Sequence, residues 1–308
     1  MSISPSFKNV KFTPFWWEGA SLLQQSLDIL PERVDVVIIG AGFTGLTAAL
    51  TCAREGCSVL VIEAGDPGFG ASTRNAGMIG SGHRVAYNDL ILRYGEPLSS
   101  EIIREGIQAL NFTKEMIMNE NMHCDFIGCG RFRGAWTLKH YEHMAHEIKV
   151  LNNKFRIKAH MISRCEQFNE INVEAYEGGC IFESHGALDP SKFLRGIIDR
   201  AINAGAQIAS QTIFSNVTKT QSGQYLIKTN RGCLSANKVI IASNGYTNRS
   251  IPSLRRKVLP ITSYMISTEV IGEDLVRKLI PGGKMIVETH PRHCYYRASP
   301  DGDRILLG

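Results

Sequence analysis

The chain has 308 residues, 44% of them hydrophobic and 20% charged, with a formal net charge of +5. That balance gives enough apolar surface for two ordinary domains and excludes a disordered or low-complexity chain. The charge is mild and Arg255-Arg256-Lys257 is its one tight basic run, so the sequence does not indicate a nucleic-acid partner. Eight cysteines stand without any C-x-x-C pair or zinc-like Cys/His spacing, the pattern of reduced, mostly buried thiols in a cytoplasmic protein without a metal site.

Residues 1–33 read as a lead-in broken by Pro5, Pro14 and Pro31. Phe12, Phe15, Trp16 and Trp17 make it aromatic, and an arm packed on the body of the protein is expected. No basic stretch precedes an apolar one here, so no secretory leader is expected.

Val34 to Glu63 is the stretch around which the rest is organised. A β-branched apolar run ends at Gly40, a Gly-rich turn follows, then an Ala/Leu-rich helical segment, then a second apolar run closing on Glu63. This is a βαβ unit carrying G-x-G-x-x-G in its proper place. Gly40 lets the chain leave the strand sharply, Gly42 lets a pyrophosphate approach the backbone, and Gly45 lets the helix pack on the strand. Phe43 and Thr44 open the helix, whose unpaired N–H groups attract phosphate. Glu63 lies 18 residues past Gly45, where a carboxylate can accept from a ribose hydroxyl, with Ala64 beside it. Val36–Ala53 is also 18 residues without a charge, the lower limit for a membrane span. Three glycines, three threonines and a β-branched first third argue for a buried strand and turn instead, so no integral membrane segment is expected.

Gly65–Gly82 is a long glycine loop in which Ser72, Thr73, Arg74 and Asn75 are the polar members, followed by Ala76 and Gly77. Its backbone can come close to a flat ligand. Periodicity then predicts helices over Leu98–Met122 and Leu138–Phe155, with a strand pair in Phe126–Trp136 around Gly128 and Gly130. His140, His143 and His146 lie at i, i+3, i+6 and read as a solvated helix face, since no carboxylate or cysteine completes a metal set. Gly178–Glu183 reads as a strand, and Asp189-Pro190 as the cap and first residue of a helix ending near Gly205. Strands are predicted over Gln207–Ser210, Ile213–Thr220, Tyr225–Thr229 and from Lys238 into the small-residue turn Ala242-Ser243-Asn244-Gly245. The C-terminal part reads as long strands over Ile261–Ile271, Lys284–Glu288, Cys294–Ser299 and Arg304–Leu307, with a hairpin turn at Asp301-Gly302.

Taken together, the motifs resemble the FAD-dependent oxidoreductases of the D-amino-acid oxidase and glycine/sarcosine oxidase type, and within it the γ-glutamylputrescine oxidase-like branch. The likeness rests on Pro14-Phe15-Trp16-Trp17, Asp35–Glu63, Gly70–Gly77, Leu188-Asp189-Pro190, Ser263-Tyr264 with Thr268-Glu269, and Tyr295-Tyr296-Arg297 leading into Asp301–Gly308. It implies an α/β chain: a Rossmann-like FAD domain (1–85 and 186–250) and an α+β substrate domain with a mostly antiparallel sheet (86–185 and 251–308). It implies FAD as cofactor, its pyrophosphate on Gly40–Gly45 and its ribose on Glu63. The Ser72–Gly77 loop would run beside the flavin, Val217 would meet the adenine through its backbone, and Ala242 to Gly245 would pass near the cofactor. The implied reaction is oxidation of a C–N bond in a small amine or amino acid, with no catalytic residue assigned. Tyr264, Tyr296 and Arg297 are candidates for the substrate pocket, Arg297 equally a sheet-edge charge. Two departures stand out. Ala76 replaces the family's usual Gly, and the family continues beyond the position of Gly308, which implies a shortened chain and, as an alternative, an inactive remnant. A nicotinamide-linked dehydrogenase is the third reading, against which the Gly70–Gly77 loop argues.

Overall fold

The computed structural model describes residues 10–19 and 27–308; Pro5 and the other positions at 1–9 and 20–26 lie outside the described residues. In chain order the elements are β1 Arg33–Ile39, α1 Phe43–Arg54, β2 Val59–Ile62, β3 Met78–Ile79, α2 Tyr87–Tyr94, α3 Glu96–Asn119, β4 Arg131–Gly134 and α4 Leu138–Phe155. There follow β5 Ala159–Ile162, β6 Gly179–Phe182, β7 Gly186–Ala187, α5 Pro190–Asn203, β8 Gln207–Ala209, β9 Phe214–Lys219, β10 Tyr225–Thr229 and β11 Gly232–Ile241. The last part holds α6 Pro252–Arg255, β12 Ile266–Ser267, α7 Glu273–Leu279, β13 Met285–Glu288, β14 Tyr295–Ala298 and β15 Ile305–Leu307. The chain folds into two compact units, residues up to Arg74 with Leu194–Ile261, and Asn75–Phe193 with Thr262–Gly308.

The first unit is built on a six-stranded sheet of order β8-β2-β1-β11-β10-β9. The β8, β2, β1 and β11 strands run parallel, and β10 and β9 continue antiparallel. A parallel strand covered on both faces needs an unbroken apolar run, and Val36 to Ile39 supplies one. Asp35 pins the centre of the sheet: its carboxylate accepts from the Ser58 hydroxyl at 2.6 Å and from Asn237 Nδ2 at 2.9 Å. The core is a cluster of Val34, Val37, Leu60, Ile62, Ile227 and Leu234 with their neighbours. Val36–Ala53 divides between β1 and α1, and among the described residues no helix is long and apolar enough to cross a membrane.

The second unit carries a seven-stranded sheet of order β12-β15-β14-β13-β4-β6-β5, antiparallel except for the β13–β4 pair, and a short antiparallel ribbon of β3 with β7. Phe132, Ile171, Tyr176, Ile181 and Ile286 form the core on this sheet. The helix α4 starts where Thr137 Oγ1 accepts from the His140 N–H at 3.2 Å and ends on left-handed Arg156. His143 and His146 are exposed on it, while His140 Nδ1 lies 2.8 Å from the Thr289 hydroxyl.

Two sequence expectations are corrected here. Phe126–Trp136 is not a strand pair: one strand, β4, forms there and pairs with β6 and β13 instead of folding back on its neighbour. Ile261–Ile271 is not a long strand either. Only Ile266–Ser267 pairs, with the end of the short β15, so the β-branched residues before it find no partner edge.

Candidate functional site

The Gly-rich turn has the geometry that its spacing implies. Gly40 sits at φ +109°, and a Cβ there would meet the Ala242 carbonyl oxygen at 2.7 Å. A Cβ on Gly45 would come within 1.9 Å of the Gly40 carbonyl oxygen, so helix and strand can pack only if this residue has no side chain. Gly42 precedes α1 with no side-chain cap and no acid in the first turn. The helix therefore presents a partial positive charge to whatever lies before it. Of its first residues, the Phe43 N–H donates to Ser72 Oγ at 3.1 Å, and Thr44 is exposed.

Glu63 closes the other side. Its Oε2 accepts from the Ala41 N–H at 2.8 Å and its Oε1 from the Gly65 N–H at 3.1 Å. The carboxylate is thus fixed at the end of β2 beside the turn. A cavity of about 420 Å³ opens here. It is lined by Gly40, Gly42, Glu63, Ala64 and Ser72, and by Ala242 and Asn244 from the end of β11. Among the described residues Glu63 is the one charged side chain of that lining, whose apolar part includes Ile39, Ile62 and Phe214. An apolar slot with one fixed carboxylate suits a neutral ring and a ribose, and a helix start with close-packed glycines and no acid suits a diphosphate. The residues present fit the adenosine diphosphate half of a dinucleotide.

Several expected residues lie elsewhere. Val217 packs against the core of the first unit, and the cavity wall on that side is Thr212, Ile213 and Phe214. These three were missed because they follow β8, far from the motif; their link to it is tertiary, the Thr212 N–H donating to the Glu63 carbonyl at 2.8 Å. Phe69, Gly70 and Tyr246 also line the cavity and were missed. Gly245 is not in the lining and packs toward Pro260. Thr73 is buried, with its hydroxyl donating to the Gly68 carbonyl at 2.7 Å. Arg74 lies over the rings of Trp17 and Phe69, 4.7 and 4.5 Å from their centroids.

Asn75, Ala76 and Gly77 belong to the second unit. Asn75 Oδ1 accepts from the Gly77 N–H at 2.8 Å. Gly77 is left-handed at φ +65°, and a Cβ there would meet the Leu188 carbonyl oxygen at 2.0 Å. Arg297, 4% exposed in the interior of the sheet on β14, is no sheet-edge charge, which corrects that alternative. Its Nη1 donates to the Leu188 carbonyl at 3.1 Å and the Ala76 carbonyl at 3.4 Å. Tyr296 is half-buried, and its hydroxyl lies 2.7 Å from that of Tyr176, which donates to Glu288 Oε2 at 3.0 Å. Burial raises both phenols, Tyr296 to about 12, with Glu288 adding to each; the shared hydrogen bond raises Tyr176 and lowers Tyr296. Tyr264 is 79% exposed, outside any such cluster. His185 is 1% exposed. Its Nε2 accepts from the Ser81 N–H at 3.2 Å, and burial, with Arg131 and Lys114 nearby, pulls its pKa down to about 3.

Comparison with known proteins decides the family, because the FAD dependent oxidoreductase family matches residues 35–308. The chain belongs to that family. FAD is its cofactor, and among curated relatives the chain is 27% identical over 296 residues to the probable oxidoreductase OrdL of Haemophilus influenzae, covering 90% of this chain and 65% of the relative. It is also 27% identical over 288 residues to gamma-glutamylputrescine oxidoreductase of Escherichia coli, covering 91% and 66%. The chain thus spans about two thirds of the length of the curated relatives that it matches. Among solved structures, glycine oxidase from Geobacillus kaustophilus superposes with a TM-score of 0.69 at 20% identity, covering 90% of this chain and 71% of that one. L-amino acid deaminase from Proteus vulgaris gives 0.71 at 17% identity, covering 93% and 63%. These likenesses bear out the fold class expected from the sequence: a Rossmann-like half and a mixed half whose sheet is mostly antiparallel.

Proposed function

We propose that this chain takes part in oxidising the C–N bond of a small amine or amino acid by hydride transfer to FAD. The observation that carries the reading is the glycine-lined start of α1, with no acid in its first turn, beside a carboxylate fixed at Glu63, in a chain of the FAD dependent oxidoreductase family. Bound there, FAD supplies the two-electron acceptor. The Gly40–Gly45 turn would hold the diphosphate at the start of α1, and Glu63 would take the ribose hydroxyls. Among the described residues no lysine or arginine lines the cavity, so the helix end would carry the diphosphate's charge.

The names of the relatives support an amine or amino-acid substrate: gamma-glutamylputrescine oxidoreductase in one case, glycine oxidase in another. On this reading the carbon bearing the nitrogen loses a hydride, the nitrogen lone pair forms an imine, and water hydrolyses the imine. Tyr296, half-buried with its phenol pKa raised, is the candidate to orient such a substrate as a neutral hydroxyl. Arg297 serves through the Ala76 and Leu188 carbonyls that it holds. Tyr264, exposed on its segment, is the weakest of the three substrate candidates. The chemistry asks for orientation rather than for an acid–base pair, so no catalytic residue is assigned. The test is an anaerobic screen of the FAD-loaded chain with polyamines, γ-glutamyl amines and amino acids, following flavin absorbance. Bleaching by amines supports the reading. Bleaching by NADH alone would favour a nicotinamide-linked enzyme.

A further inference from the structure

The aromatic lead-in lies before the residues that match the family, yet one of its side chains is wired to the cofactor turn. Trp17 Nε1 donates to Thr73 Oγ1 at 2.8 Å. The same hydroxyl donates to the Gly68 carbonyl at 2.7 Å. The Gly68 N–H donates to the Ala41 carbonyl at 3.0 Å, and the Ala41 N–H donates to Glu63 Oε2 at 2.8 Å. Four consecutive hydrogen bonds thus run from the indole, through the middle of the Gly-rich turn, to the carboxylate that faces the ribose site. Thr73 Oγ1 both accepts and donates, while at Gly68 and at Ala41 the accepting carbonyl and the donating N–H belong to successive peptide groups joined through one α-carbon, so the row couples their positions.

The packing around this row leaves little slack. Thr73 is fully buried, and Gly68 is held left-handed at φ +86°, where a Cβ would meet the Leu194 side chain at 2.2 Å. On the outside, Arg74 caps the tilted Trp17–Phe69 ring pair while its Nε donates to the Phe69 carbonyl at 2.7 Å. The short helical turn Phe15–Trp17 that presents the indole is anchored by buried Trp16. Loop 68–74 is therefore gripped from the N-terminal side on both its buried and its exposed face.

We infer that Trp17 is a positioning residue for the dinucleotide site: the lead-in is a strap whose docking on Thr73 sets Gly68, Ala41 and Glu63 for the cofactor. The inference rests on the FAD reading of the same turn, and its test separates the two. Trp17→Phe keeps the ring and its layer with Arg74 but deletes the donor. Thr73→Val deletes the relay's first acceptor and second donor, and Thr73→Ser restores both. Two quantities are read on the full chain: amide hydrogen exchange at Ala41 and Gly68 without cofactor, and the rate of FAD release by recovery of flavin fluorescence. Loss of one neutral hydrogen bond predicts exchange and FAD release about threefold to tenfold faster in Trp17→Phe and Thr73→Val. Thr73→Ser is expected to match the parent in both, which a general packing defect would not allow. Parent-like exchange at Ala41 and Gly68 in Trp17→Phe overturns the relay. Faster exchange with parent-like FAD release overturns the strap's bearing on the cofactor, and a parent chain that fails to bind FAD overturns the cofactor reading alone.

Discussion

The two units differ in what they offer a ligand. Around the start of α1 the first unit works through backbone: glycines at 40, 42 and 45, peptide N–H groups, one carboxylate and an apolar slot. The second unit buries polar side chains, among them Tyr176, Glu288, His185 and Arg297, with Tyr296 half-buried beside Tyr176. A dinucleotide has a fixed shape and charge, so a rigid backbone cradle with a helix end suffices for it. A substrate that must be oriented for hydride loss needs functional groups in defined protonation states, and burial sets those states. The contrast predicts that the glycine turn before α1 fails on added atoms and that the cluster around Tyr176 fails on removed ones.

Added atoms should have the largest effect. Gly45→Ala places a methyl 1.9 Å from a backbone oxygen. It is expected to destabilise the chain by about 4 kcal/mol or more, or to abolish its FAD binding, checked by chemical denaturation and gel filtration. Gly128→Ala, with nothing within 4 Å, should change stability by about 0.5 kcal/mol at most. Equal effects at the two glycines would break the comparison.

Removed atoms in the second unit come next. Glu288→Ala deletes the acceptor of the buried Tyr176 hydroxyl and of the Cys294 N–H, and should cost about 2–3 kcal/mol in urea unfolding. His185 gives a pH signature. Its folded pKa of about 3 lies below its ordinary 6.5, so the unfolded chain takes up the proton first. Stability should therefore fall as the pH drops from 6.5 toward 3, this residue contributing a slope of about 1.4 kcal/mol per pH unit. Denaturation of His185→Gln across that window should lack this component, and an unchanged slope would contradict neutral burial. At the cavity, Glu63→Gln should weaken FAD by about tenfold, roughly 1.4 kcal/mol, and lower unfolding stability by about 1 kcal/mol, because the amide keeps one of the two oxygens that accept the Ala41 and Gly65 N–H groups.

The same contrast explains what the sequence made legible. The βαβ unit could be read because strand, turn and helix are contiguous and each glycine answers a local steric demand. The helix over Leu138–Phe155 and the Asp189-Pro190 start were legible for the same local reason; Asp189 Oδ1 accepts from the Ser191 and Lys192 N–H groups at 2.8 and 3.0 Å. The pairing of β4 was not legible, because its partners β6 and β13 come from distant stretches and no local pattern names them. In the site, Glu63 and Ser72 were found from spacing and loop composition. Thr212, Ile213 and Phe214 were not, because they reach the cavity only through the pairing of β2 with β8. Trp17 was read as an arm on the body; its link to Thr73 depends on a tertiary approach that aromatic content alone does not encode.

The central claim is that the first unit holds the adenosine diphosphate half of FAD. The most direct measurement is the visible spectrum of the purified 308-residue chain after gel filtration, once with FAD and once with FMN, which lacks the adenosine and one of the two phosphates. Flavin bands that stay with the protein for FAD and not for FMN are the predicted result. Equal retention of both, or of neither, would contradict it.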